Sequence, residues 1–170
     1  MKTLFLLRHA KSKWGDPGCV DFDRPLNGRG RKAARAIGAY IKDEGLIPDL
    51  IISSPSARTR ETLELLQKGM ARQVFIQYPE ILYLASPETI LNTIGKAAAS
   101  AARLMIAGHN PGLHQLALRL AKAGSHEDYA AMEFKFPTAA LAEIAFPGED
   151  WANLKEGGGE LKRFILPRSL

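Results

Sequence analysis

Cysteine occurs once in 170 residues, at Cys19, which excludes an intrachain disulfide and any zinc or iron–sulfur centre built on several thiolates. Long apolar runs are missing too. A membrane-spanning helix needs about 18 or more consecutive apolar residues, and no stretch approaches that. The apolar run at residues 4–7 stops at Arg8, short of the roughly 7 to 15 residues of a signal-peptide core. A cytoplasmic chain without membrane contact is therefore expected. Aromatic residues are sparse at 8%, and the basic residues are scattered, without the long basic run or interleaved aromatic ladder of a nucleic-acid binder. The excess of 23 Lys and Arg over 18 Asp and Glu, a formal +5, leaves phosphates and acidic proteins as partners.

What is present alternates. Runs suited to strands fall at residues 3–8, 49–53, 73–77, 103–107, 138–146 and 160–166, and helical patterns fill the gaps between the earlier ones. The first helix is expected over about 29–44, with Ala33, Ile37, Tyr40 and Ile41 on one face and Gly45 as its C-terminal stop. Ser54-Pro55, Ser86-Pro87 and Asn110-Pro111 each set a capping side chain before a proline, which predicts further helices starting at those prolines. The stretch GKAAASAA reads as a helix end. Strands alternating with helices predict an α/β fold, a single three-layer α/β/α domain over residues 1–170 with a mainly parallel central sheet of about six strands. With 46% hydrophobic residues the chain has material for one such core. The last two strands lack a helix between them and are expected to close the sheet as a hairpin through Gly157, Gly158 and Gly159.

In a parallel sheet the carboxyl ends of the strands share one edge, and ligands bind there. The first strand ends in Arg8 and His9, the second in Ser53 and Ser54 before a helix whose first turn holds Arg58, and the fourth in Ala107-Gly108-His109. Histidines and arginines thus converge on one rim with helix N-termini, which favour anions. Arginine forks match phosphoryl oxygens, and a neutral imidazole can attack phosphorus, forming a covalent phosphohistidine that water later hydrolyses. Arg58 opposes the dipole of its own helix, and such local misplacement points to a functional role. This chemistry requires no metal and no cofactor.

Other residues have duller explanations. His114 follows His109 by five positions, about 500° round a helix, so the two share no face for a metal ion. His126, among Gly124, Ser125, Glu127 and Asp128, reads as an exposed loop residue. Trp14 either lines the mouth of the site or covers core. Cysteine phosphatases place an arginine six residues after their cysteine; that position is Pro25, and Arg24 falls one short, so this reading is rejected.

The segments LLRHAKSKW, DFDRPLNGRG, PDLIISSPSARTRET, LYLASPETI and IAGHNPG, in that order over most of the chain, resemble the histidine phosphatase superfamily and its SixA-type phosphohistidine phosphatases. The resemblance implies a phosphoglycerate-mutase-like fold, with His9 as the nucleophile that becomes phosphorylated and Arg8, Arg58 and His109 completing the phosphate pocket. Ser12 and Arg24 match substrate-binding positions beside it. Ala10 stands where most of the superfamily carries the glycine of Arg-His-Gly, as is common in this branch. Phosphoglycerate mutases and many phosphatases of the superfamily place a glutamate general acid shortly after the third strand, where this chain reads Leu82-Tyr83-Leu84-Ala85. An ester's alkoxide leaves poorly without an acid, whereas a phosphohistidine protonated on its other ring nitrogen releases neutral imidazole. A site without the acid therefore suits P–N bonds, although Asp21, Asp23 or Glu80 would supply a proton if their loops folded inward.

By the same resemblance the substrate is a phosphohistidine-bearing protein such as a histidine phosphotransfer domain, reached through an open rim, which implies a place in signal transduction. Neither nucleic acid nor membrane is expected as a partner. A monomer is expected, since no apolar stripe remains once the helix faces are assigned to the core. The alternatives are a small-molecule phosphomonoesterase of the same superfamily and a phosphate-binding module without turnover.

Overall fold

The first strand, β1 (Lys2–Arg8), carries apolar residues without alternation because both its faces are covered. Leu4 and Leu6 enter one core, Phe5 and Leu7 the other, and all four are fully buried. The computed structural model describes residues 1–122 and 124–170. Among these, β1 is followed by α1 (Gly28–Asp43), β2 (Leu50–Ser53), α2 (Ala57–Met70), β3 (Ile76–Gln77), α3 (Pro87–Gly95) and β4 (Arg103–Gly108). Then come α4 (Gly112–Leu120), β5 (Ala121–Lys122), α5 (His126–Phe134), β6 (Leu141–Phe146) and β7 (Gly159–Ile165). The strands form one seven-stranded sheet in the order β3-β2-β4-β1-β6-β7-β5. Every pairing is parallel except those of β6 with β1 and β7, so the sheet is mainly parallel and β6 alone of the described strands runs against it.

Helices α1 and α2 cover the face bearing Phe5, Leu7, Ile51 and Met105, while α3, α4 and α5 lie over Leu4, Leu6, Ile52 and Leu104. The first pair packs backbone to backbone. A Cβ on Gly38 would fall 2.1 Å from the Leu66 carbonyl oxygen, and one on Gly69 2.3 Å from that of Arg35. No described helix is long and apolar enough to cross a membrane.

Several expectations hold to within a residue or two, including α1, its left-handed Gly45 stop, and the start of α3, where the Ser86 side chain accepts from Thr89 N–H before Pro87. Others need correction. The sheet has seven strands because the two-residue β5 joins β7; a pairing so short leaves no pattern in sequence. The third strand shrinks to Ile76 and Gln77, and the Val74 N–H turns instead to the Gln67 side chain at 2.6 Å. Helix α2 begins at Ala57 after Ser56, and α4 at Gly112 after Pro111, so Ser54-Pro55 and Asn110-Pro111 precede their helices rather than cap them. Their side chains are engaged in the cleft described below.

GKAAASAA holds the end of α3 only at Gly95 and its cap Lys96; the alanines beyond lie outside the helix, where Lys2 Nζ and Trp151 Nε1 donate to the Ala101 carbonyl at 2.9 and 2.8 Å. His126 is exposed, as expected, but opens α5 rather than sitting in a loop. That helix escaped notice because Met132 is its one buried residue, too little for a 3.6-residue period to show.

Candidate active site

The carboxyl ends of β1, β2 and β4 are level with one another, since Arg8 pairs with Gly108 and Ser53 with Ala107. His9 and His109 follow directly, and their ring centroids lie 5.2 Å apart. Arg58, in the first turn of α2, reaches between them: its Nε donates to His9 Nε2 at 3.4 Å and its Nη2 to His109 Nδ1 at 3.3 Å. Arg8 is held by the chain entering β6, where its Nη1 donates to the Phe136 carbonyl at 3.1 Å. The Asn110 side chain donates to that same carbonyl at 2.8 Å. Arg8 Nε is buried with no partner among the described residues, the condition of a donor set for an anion.

Hydrogen bonds define the proton positions of both rings. His9 Nδ1 lies 2.7 Å from the Ala10 carbonyl, which only accepts, so the proton is on Nδ1 and the lone pair on Nε2 faces Arg58. His109 takes the opposite tautomer, accepting from Arg58 at Nδ1 and donating from Nε2 to Ser54 Oγ at 2.7 Å. Burial, reinforced by Arg58, pushes the His9 pKa down to about 4. For His109, burial together with the neighbouring His9 and Arg58 brings it to about 3. Both imidazoles are neutral at physiological pH.

The connection from β1 to α1 folds back over these rings. Ser12 bridges to Leu26 in antiparallel fashion, Lys13 N–H donates to the Pro25 carbonyl at 2.8 Å, and Asn27 N–H to that of Lys11 at 3.0 Å. The hairpin-like loop so formed buries Ser12 and Arg24 beside the histidines, with Arg24 Nη1 donating to Ser12 Oγ. Arg8, His9, Ser12, Arg24, Arg58 and His109 all line a single open cleft of about 410 Å³. Trp14, 74% exposed, lies at its mouth with its ring stacked 3.6 Å from the Arg24 guanidinium, which decides between its two readings.

Four contributors were not singled out as site residues. Asp21 turns inward, as one of three candidate acids, and accepts from Arg24 Nη2 at 2.9 Å, Arg58 Nη2 at 3.2 Å and the Tyr83 hydroxyl. Those donors, Tyr83 foremost, hold its carboxyl well below the usual carboxylate range. Asp23 and Glu80 do not line the cleft. Tyr83 also meets His109 edge-on, 5.6 Å between centroids, at the point where the sequence offered no carboxylate. Ser54 and Asn110, read as helix caps, serve His109 and the Phe136 carbonyl instead. The signal available for them was their position at strand ends β2 and β4. Among the described residues no group of three or more His, Cys, Asp and Glu is placed to hold a metal ion.

A mainly parallel α/β sheet with paired histidines and arginines at its carboxyl edge is a site suited to phosphoryl transfer, and the similarities that follow make this protein a phosphatase. The sequence model of the histidine phosphatase superfamily (branch 1) matches residues 4–79. An uncharacterized protein of Mycobacterium tuberculosis is 32% identical over 164 residues, covering 95% of this chain and 100% of that one. Among solved structures, a candidate phosphohistidine phosphatase SixA from Agrobacterium tumefaciens is 33% identical with a TM-score of 0.80, covering 98% of each chain. One from Nakamurella multipartita, described in the same words, is 27% identical with a TM-score of 0.79, covering 98% of this chain and 96% of that one. The chain belongs to the histidine phosphatase superfamily, in its SixA-type branch.

Proposed function

We propose that this phosphatase hydrolyses phosphohistidine carried on a protein, through a phosphorylated intermediate on His9. The observation that carries the reading is the state of Asp21, the one carboxylate among the described residues lining the cleft. With Tyr83, Arg24 and Arg58 all donating to it, Asp21 is ionised and has no proton to give a departing alkoxide. A phosphoester would leave against that deficit. Phosphohistidine would not, because its imidazole takes the proton it needs on the other ring nitrogen from solvent beforehand and then leaves neutral.

In the first step His9 Nε2 gives up its long hydrogen bond from Arg58 Nε and attacks phosphorus with the lone pair its tautomer leaves on that atom. The P–N bond of the substrate breaks, and its imidazole departs neutral. Arg8, Arg58 and His109 bind the equatorial oxygens as charge spreads over them, with Arg24 and Ser12 at the edge of the pocket. Water then attacks the phosphorus on His9, releasing phosphate and restoring neutral imidazole. His109 reaches a phosphoryl oxygen as a donor only by changing tautomer or gaining a proton, which the incoming negative charge favours. The names of the two SixA-type structures support the same substrate class. On this reading the protein works as a monomer in cytoplasmic signal transduction, facing a phosphotransfer domain across its open cleft.

Replacement of His9 by alanine tests the nucleophile. Turnover of a phosphohistidine protein is expected to fall by about 10³-fold or more, while phosphate binding is partly retained through the arginines. Unchanged turnover would remove His9 from the role.

A further inference from the structure

The catalytic cleft has a neighbour. At Thr138 it adjoins a second cleft of about 390 Å³, lined by Phe134, Lys135, Leu166 and Arg168 among others. Phe134 ends α5 with 88% of its surface exposed, the most exposed of the large apolar side chains. Lys135 and Arg168 are both exposed, and neither forms an ion pair among the described residues. No carboxylate lines this side cleft. The larger cleft beside α3, about 490 Å³, differs on both counts: Lys96 is its one charged residue, and it shares no lining residue with the catalytic cleft.

We infer that the Phe134 cleft is a docking subsite for an acidic segment of the substrate protein that adjoins the phosphohistidine and sets an apolar side chain against Phe134. The inference rests on the reading of the catalytic cleft as a protein phosphohistidine site. Three observations assign the occupant. The subsite adjoins that cleft at Thr138, which lines both, so an extended segment flanking the phosphohistidine is close enough to reach it. Its two unpaired cations call for carboxylates, and opposite charge at a rim speeds encounter and selects partners. Its exposed phenyl ring is an apolar anchor in the same cleft as those cations, a combination suited to an amphipathic acidic segment rather than to a small phosphate ester. None of Phe134, Lys135 and Arg168 lines the catalytic cleft, so a small ester held there would not need them.

The test uses two peptides that differ only in the residues flanking one histidine, glutamate and leucine in the first, lysine and leucine in the second. Both are phosphorylated on that histidine with phosphoramidate, and the free amino acid phosphohistidine serves as a third substrate. The native enzyme is expected to favour the acidic peptide by about tenfold in kcat/KM, a preference that fades with added salt. In the double variant Lys135→Glu, Arg168→Glu that preference disappears or reverses. Phe134→Ser lowers kcat/KM for the acidic peptide alone. Free phosphohistidine is turned over equally by all three proteins, which also verifies that the variants fold.

Equal use of both peptides by the native enzyme, an undiminished preference in the double variant, or losses as large for free phosphohistidine as for the peptide would each overturn the subsite. If the native enzyme hydrolysed no phosphohistidine substrate, the proposed function would fail and the subsite with it. Hydrolysis of all three with equal efficiency would overturn the subsite alone.

Discussion

His9 and His109 are buried bases surrounded by arginines, and their behaviour follows from that environment. In the folded protein both rings resist protonation, with midpoints near 4 and 3 against 6.5 for an unperturbed histidine. Titration of the imidazole resonances by NMR is expected to find both neutral at pH 5.5, with His9 protonated on Nδ1; a midpoint near 6.5 for either would contradict the site described. The sign for stability follows. The unfolded chain binds these protons first, so stability falls as pH drops from about 6.5 toward 4 for His9 and toward 3 for His109, and is unaffected by these groups above that window. Asp21 is held ionised by its donors and in return orients Arg24 and Arg58. Asp21→Asn is expected to lower kcat/KM by about tenfold, to the same degree for phosphohistidine as for esters of good and poor leaving groups. A loss that grew as the leaving group became poorer would make Asp21 a general acid. The paired histidines and arginines were legible in the sequence because each follows an apolar run or opens a helix. Asp21 and Tyr83 were not legible as a pair: they are 62 positions apart and meet only through the path of two irregular loops.

Element by element, the site depends on how α1 and its preceding loop are seated. Asn27 caps α1 by accepting from Gly30 N–H at 2.8 Å, and its replacement by alanine is expected to cost about 1 kcal/mol. Gly30 meets the loop itself, since a Cβ there would lie 2.0 Å from the Lys11 carbonyl oxygen. Gly30→Ala must therefore shift the backbone next to Ser12, and is expected to cost about 1–3 kcal/mol and to lower kcat/KM as well. Gly69→Ala supplies the contrast. It crowds α1 against α2 away from the cleft and should destabilise by a similar amount while leaving kcat/KM unchanged well below the melting temperature, as denaturation and rate measurements would register. The existence of α1, α2, α3 and α4 was readable from helical patterns between the strands, and α1 and α3 also from their stop and cap, whereas α5 left no such pattern. The starts of α2 and α4 were misplaced because Ser54 and Asn110 have the chemistry of caps but are drawn to His109 and Phe136, contacts set by tertiary structure rather than by the local chain.

Across the whole molecule, the parallel strands bring distant segments to one edge, and the reversed strand β6 brings the Phe136 carbonyl to hold Arg8. The fold class was legible because strand and helix patterns alternate along the chain. Strand order, the two-residue β5 and α5 with its single buried residue carry no comparable local signal. The result is an open cleft whose cations outnumber its one ionised carboxylate, a charge balance suited to a phosphoryl group. The most direct measurement is phosphate release from a phosphohistidine-bearing protein, run beside a phosphoserine peptide and a panel of phosphorylated metabolites, each with and without chelator. Rapid release from phosphohistidine, undiminished by chelator, with slow release from every ester, is the predicted result. Preferred turnover of a metabolite ester, or activity lost to chelator, would contradict it.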